Sequence, residues 1–494
     1  MSSNSTKKES LLNYSIWYKV SIPFLISTTL VCSSLYTSPS AFSSNGTFLA
    51  KATFITKWGG EYGSEDGEMR SPAGIALDSS SGFVYVADTG NNFISAFASR
   101  SLIGNVAFSS EDGEIYSNDT RIKIDPVYDE LNRPTAIAFL GPNDMLVLEK
   151  INNKIMRIVN GQMLDEPVLD LGNSTKIKGC MCDIVISQND NGTSYAFLYY
   201  ALAEVTEENG TTKVVNSLYR YDIDNGKFTN PKLIFEIPSS PEGSNHHGGK
   251  LMIGPDKNLY LTIGDIEGRE TKAQNIKNGS LPDGSSAILR FTQNGEPVGG
   301  GLLGHTPALD KYYAYGIRNS LGIDYDPVTG SIWITDYGPG YGDELNLVMP
   351  GFNGGWNKIM GFSSFDKAFN LTDLEFFNDK GKYYDPILEW FAPIRVTDLV
   401  FVPSDKLGKE YEGNLFVGDE NSGYLYRFLL NQSRTGLLLN GSLSDGVANN
   451  NIEKLEAVFA RIEGGITELE IGPDGLVYIV SEHGNIVRLE PTHS

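Results

Sequence analysis

A unit of strand, turn and strand recurs from end to end of this chain, and no other feature limits its folding so tightly. Each copy has an apolar strand, a turn built from Pro, Asp, Gly or Asn, and a second strand ending in an acidic or polar residue. A further turn and an aromatic-rich third strand follow. Clear copies occupy 75–97, 137–159, 251–265, 323–338 and 469–489, and diverged ones 183–201 and 399–428. One antiparallel sheet of this size cannot bury both faces alone, so the copies have to stack radially around an axis. Parallel α/β arrangements fail because no amphipathic helices of adequate length separate the strands. The 53 glycines, 25 tyrosines and 24 phenylalanines suit short strands and tight turns. The expected fold is all-β: a six-bladed β-propeller of four-stranded antiparallel blades, spanning 126–494. The copy at 75–97 forms an extra blade-like unit within 44–125, followed by a polar connector at 98–125. A closed seven-bladed ring is the alternative.

The first 43 residues read as a signal peptide or N-terminal anchor. Lys7, Lys8 and Lys19 precede an apolar run from Val20 to Leu35, and the small-residue stretch 38–43 offers a cleavage site near Ser43. Glycosylation sequons at Asn45, Asn118, Asn173, Asn191, Asn209, Asn278, Asn370, Asn431 and Asn440 agree with an extracytoplasmic protein, secreted or held at the cell surface. The formal charge of −22 opposes nucleic acid and anionic membranes, so membrane contact is expected only through an uncleaved anchor. Of three cysteines, Cys32 lies in the leader. Cys180 and Cys182 are two residues apart on an extended segment, a spacing that makes an unstrained disulfide difficult. They are expected as two buried thiols, and no zinc site or disulfide framework can be built from so few.

The run Asn245 to Asp265, NHHGGKLMIGPDKNLYLTIGD, is the densest in chemistry. Alternation around Pro255-Asp256-Lys257-Asn258 marks a hairpin that His246 precedes and Asp265 follows. Both ends of a hairpin lie on one side. A histidine and a carboxylate at one rim are the parts needed for proton abstraction by an oriented base.

Three segments, NHHGGKLMIGPDKNLYLTIGD, YAYGIRNSLGIDYDP (312–327) and DYGPGYGDELNLVMPGFNGGWN (336–357), together resemble the soluble quinoprotein glucose/sorbosone dehydrogenase family over 126–489. The segment around 75–97, GIALDSSSGFVYVADTGNNFISAF, resembles a single NHL repeat. The dehydrogenase resemblance implies that His246 is the general base for a sugar C1 hydroxyl and that Asp265 contacts the sugar. It implies that Arg318 and Asn319 face pyrroloquinoline quinone (PQQ). Gly338 and Pro339 would hold calcium through main-chain carbonyls, and Glu344 and Gly354 a second, structural calcium. Carbonyl and carboxylate oxygens suit calcium's flexible coordination, and a guanidinium suits charge arriving on a quinone.

The chain departs from the family where cations anchor the quinone's carboxylates. Asp419, Glu420 and Asn421 stand where a fifth-blade base is usual, and Gly465 and Thr467 at arginine positions of the sixth. Ile177 and Lys178 replace a polar contact ahead of the second blade. The leading expectation is PQQ- and calcium-dependent oxidation of an aldose to its lactone, with electrons passed to an external acceptor. Alternatives are a non-catalytic propeller binding glycans or proteins, and a calcium-dependent hydrolase.

Overall fold

A computed structural model describes residues 72–77, 84–88, 93–97, 119, 121–150, 153–172, 180–188, 194–205, 212–241, 245–267 and 269–492. The leader, Ile177, Lys178 and the sequon asparagines 45, 118, 173, 191 and 209 fall outside them. Asn278, Asn370 and Asn440 are exposed. Among the described residues no helix is long and apolar enough to cross a membrane, and no α-helix occurs.

The chain divides at Ala98 into two compact units. The first contains one three-stranded antiparallel sheet, Pro72–Leu77, Val84–Asp88 and Phe93–Phe97. The second is a β-propeller ring of at least five blades. The hairpins expected from the repeat pair as antiparallel strands, for example Leu251–Ile253 with Leu259–Ile263 and Ile466–Ile471 with Val477–Ser481. Their opening strands, Pro134–Gly141, Cys180–Gln188, Leu251–Ile253, Gly322–Tyr325, Val396–Phe401 and Ile466–Ile471, touch one another in that order, and the last touches the first. Ile122–Tyr128 pairs with Ile486–Pro491 and completes the last sheet with an early strand. Residue 126, where the propeller was expected to begin, lies inside that strand.

Alternation sends successive side chains of one strand into two different cores. Ala136 and Leu146 pack with Met181 and Ala196 of the next sheet, whereas Ile137 and Val147 pack with Tyr478 and Val480 of the preceding one. Trp333 and Trp390, both fully buried, fill the layer shared with Val396 and Leu415. This two-sided burial explains why the strands read as near-continuous apolar runs.

The cysteine expectation is corrected. Cys180 and Cys182 form a disulfide and are half-buried. The register shifts between Met181 and Asp183, and this irregularity brings the two Cα atoms to 4.9 Å, within bridging range. A regular strand would hold residues two apart farther from each other.

Candidate active site

In a radial fold the start of each first strand and the end of each second strand share one face. His246 lies ahead of Leu251–Ile253, Asp265 after Leu259–Ile263, Arg318 and Asn319 ahead of Gly322–Tyr325, and Asp336 at the end of Ile332–Asp336. Hydrogen bonds tie these residues into one network. His246 Nδ1–H donates to Asp265 Oδ1 at 2.7 Å, and Arg318 Nη2 donates to His246 Nε2 at 3.0 Å. A guanidinium can only donate, so Nε2 must carry the lone pair and Nδ1 the proton. Asp265 thus fixes the neutral tautomer in which Nε2 can act as a base.

The supporting contacts are equally specific. Trp356 Nε1 donates to the other oxygen of Asp265 at 2.8 Å, and Gln274 Nε2 donates to the Asp265 carbonyl. Asp265 N donates to the Arg318 carbonyl at 2.8 Å. Asp336 accepts from the main-chain N–H groups of Arg318 (2.9 Å) and Asn319 (2.7 Å) and so sets where that pair begins. Burial outweighs these bonds and pushes the Asp336 carboxyl up to about 7. The Asn319 side-chain oxygen accepts from Gly248 N at 3.0 Å. The Arg318 guanidinium lies over the rings of Tyr337 and Trp356, at 5.2 and 5.5 Å.

His246 adopts φ +59°, an uncommon conformation for a non-glycine residue. Gly264 makes this possible: a Cβ there would stand 2.1 Å from the His246 carbonyl oxygen. The histidine and arginine side chains are only 13% and 9% exposed, so water is largely excluded while one edge stays open.

The positions expected to hold calcium are arranged less favourably. The Gly338 carbonyl accepts from Arg318 Nη1 at 2.9 Å, and Pro339 is exposed. Glu344 is buried with both oxygens occupied, by Gly361 N at 2.6 Å and Asn346 Nδ2 at 2.9 Å. Asp336, Glu344 and Glu389 are cross-strand neighbours in one row. Burial first, then repulsion from Asp336 and Glu389, holds the Glu344 carboxyl well above the usual range. Among the described residues no group of three or more His, Cys, Asp or Glu is disposed to hold a metal ion. With both Glu344 oxygens already accepting from N–H groups, a structural calcium there would have to share or displace those donors. The carbonyls of Gly338 and Pro339 have the right chemistry for one.

The acidic fifth-blade stretch is also resolved. Asp419 faces inward, accepting from Tyr426 Oη (2.8 Å) and Ser422 N (2.6 Å). Glu420 pairs with Arg395 at 2.9 Å, and Glu482 pairs with Arg133. Gly465 cannot give way to arginine without backbone movement, because a Cβ would stand 2.2 Å from the Glu420 carbonyl oxygen. Thr467 Oγ1 lies within reach of the carbonyls of Pro134 (3.3 Å) and Val480 (3.2 Å), which share its one hydroxyl hydrogen. Arg133 and Arg395, which the sequence reading missed, supply cations on this face from other loops. The only sequence signal for them is their place just ahead of a first strand.

Sequence comparison then decides the family. A profile for glucose/sorbosone dehydrogenases matches residues 131–488, and one for the NHL repeat matches 69–97. This chain belongs to the glucose/sorbosone dehydrogenase family. The aldose sugar dehydrogenase of Escherichia coli is 22% identical over 76% of this chain and 95% of its own. A crystal structure described as a putative oxidoreductase (glucose dehydrogenase) from Thermus thermophilus superposes with a TM-score of 0.57 at 25% identity, covering 74% of this chain and 99% of that one. The PQQ-bound aldose sugar dehydrogenase of Streptomyces coelicolor superposes with a TM-score of 0.53 at 21% identity, over 75% and 99%. In this chain the network around His246 brings together an imidazole, a carboxylate that orients it and a guanidinium that donates to it.

Proposed function

We propose that this protein oxidises an aldose at C1 to the lactone, outside the cytoplasm, and passes the electrons to an external acceptor. The observation that carries the reading is the chain Asp265, His246, Arg318, in which Nε2 of a neutral imidazole is the one basic lone pair of the trio left open by the tautomer. The sugar C1 hydroxyl gives its proton to Nε2, displacing Arg318 Nη2 from that lone pair. Asp265 stabilises the imidazolium that results, and the released guanidinium stabilises negative charge arriving beside it.

The residues fit a quinone at this point. Arg318 Nε is buried with no hydrogen-bond partner among the described residues, a donor without its acceptor. Arg318 and Asn319 would hold PQQ, with Arg133 and Arg395 as the nearby cations for its carboxylates and the carbonyls of Gly338 and Pro339 for calcium. When bound, the quinone supplies the two-electron acceptor for the C1 hydride, and calcium polarises it.

The six cyclic contacts between opening strands, with a core cluster at each junction, favour a ring of six blades. The NHL-like unit at 72–97 is then not counted among the six.

Loading the full chain with PQQ and calcium should give a chromophore that an aldose bleaches. His246→Ala should lower the bleaching rate by ~10²–10⁴-fold. No sugar-dependent reduction with any aldose at saturating quinone and calcium would refute the reading.

A further inference from the structure

The opening strands carry acids toward the propeller axis, and a second cavity reaches them. It measures about 240 Å³ and is lined by residues from Pro134–Gly141, Cys180–Gln188, Leu251–Ile253 and Ile466–Ile471. Phe139, Ile186 and Ile471 supply apolar walls, and the exposed Pro473, past the end of the last of these strands, stands at the mouth. His246 and Arg318 lie ahead of opening strands, whereas Pro473 follows one, so this well opens away from the candidate active site.

Asp183, Lys250 and Glu470 are the charged residues of its lining. Asp183 is only 2% exposed, and its Oδ2 accepts from Leu251 N at 2.6 Å. Its Oδ1 is buried with no hydrogen-bond partner among the described residues. Lys250 does not supply one. Its Nζ is committed to Glu468 at 2.7 Å and Asp398 at 2.8 Å, and it stands 3.9 Å from the Asp183 oxygen that is already bonded. Glu470 is half-buried, and Asp324 belongs to the same charge cluster. One ammonium therefore faces the carboxyls of Asp183, Asp324, Asp398, Glu468 and Glu470. A buried acceptor without a donor, beside a cavity with surplus negative charge, calls for a cation.

We infer that this axial well binds a small aliphatic diammonium ion. The cavity is smaller than the ~300–1,000 Å³ of sites for drug-sized ligands, so its occupant has few heavy atoms. Apolar walls suit methylene groups and offer nothing to a hydrated metal ion, and no group of acids among the described residues is disposed to hold one. Lys250 shows the recognition within the protein itself, because the same cluster already holds one alkylammonium. An ammonium has three donors and no acceptor, so a second one gives Asp183 Oδ1 its missing partner without adding an unmet need. The methylenes then cover Phe139 and Ile471 as a lysine stem would, and the far ammonium meets Glu470 toward the mouth. A neutral diol of the same shape would leave the surplus charge uncompensated.

Isothermal titration of the full-length protein with putrescine at physiological ionic strength tests this, with butanediol as the neutral control. Putrescine should bind at one site with a Kd below ~1 mM, and butanediol should not bind. Asp183→Asn and Glu470→Gln should each weaken putrescine about tenfold or more. An amide at position 183 can still accept from Leu251 N, and matching melting curves check that both variants keep the fold. Saturating calcium should leave the putrescine affinity unchanged. Absence of saturable binding, equal binding by wild type and both variants, or displacement of putrescine by calcium would overturn the proposal. Attraction of a polycation to the acidic surface at large would persist in both variants, and so counts against it.

Discussion

Replacing Lys250 with methionine should destabilise the propeller most at alkaline pH. Lys250 stands just ahead of the opening strand Leu251–Ile253, and its Nζ lies 2.7 Å from Glu468, 2.8 Å from Asp398 and 3.9 Å from Asp183. Those carboxyls come from three other opening strands, with Asp324 and Glu470 close enough to join the same electrostatic cluster. Burial pushes Asp183 up to about 6, Asp324 to about 7 and Glu470 to about 8, while attraction to Lys250 resists each rise. Burial also pulls on the lysine, but its carboxylate neighbours outweigh that and keep it charged. One charge pair at 2.8 Å is worth about 6 kcal/mol at an effective dielectric constant of about 20. Relief of the ammonium's desolvation and proton uptake by the acids offset part of this, leaving a cost of about 3–5 kcal/mol at pH 8. The sign follows from proton counting. Carboxyls raised in the folded state bind more protons than in the unfolded chain, where they titrate near about 4, so they make stability fall as pH rises from about 4 to 8. Without Lys250 they rise further, and the slope steepens. Urea unfolding of both proteins at pH 5, 6.5 and 8 reads the effect. A methionine variant as stable as wild type at pH 8, or a deficit that grows on acidification, would show the reasoning to be wrong.

Two further outcomes are expected. Asp265→Asn should lower kcat by ~10²–10⁴-fold with little change in stability, because an amide no longer enforces the Nδ1–H tautomer; the imidazole nitrogen shifts in NMR spectra check the cause directly. Glu344→Gln should change stability by less than about 1 kcal/mol, because burial and the neighbouring Asp336 and Glu389 push the carboxyl towards its neutral form, with which an amide is nearly isosteric. Added calcium should then shift the unfolding midpoint of wild type and variant equally, and a shift confined to wild type would restore Glu344 as a calcium ligand.

What the sequence determined by itself is what neighbours in the chain can decide. Alternating apolar residues around turns such as Pro255-Asp256-Lys257-Asn258 specify a hairpin locally, so the strands and their antiparallel pairing were legible. The same locality put His246 and Asp265 at one rim, because both flank a single hairpin. The motif order added Arg318 and Asn319; hydrogen bonds join His246, Asp265 and Arg318 directly, and Asn319 is tied in through Asp336 and Gly248. Tertiary structure decided whatever depends on distant segments meeting. Trp356 reaches Asp265 from 91 residues further along the chain, and Arg133 meets Glu482 only after the ring forms, whereas Arg395 and Glu420 flank one hairpin. The strand Ile122–Tyr128 finds its partner Ile486–Pro491 across the closure. Lys250 finds its acids because opening strands from several blades converge on one axis. Even the Cys180–Cys182 bridge depends on a shift of register against the neighbouring strand, which spacing along the chain cannot reveal. The physical reason is common to all of these: hairpin propensity is a property of a few adjacent residues, whereas charge pairing and site assembly follow from closing the ring.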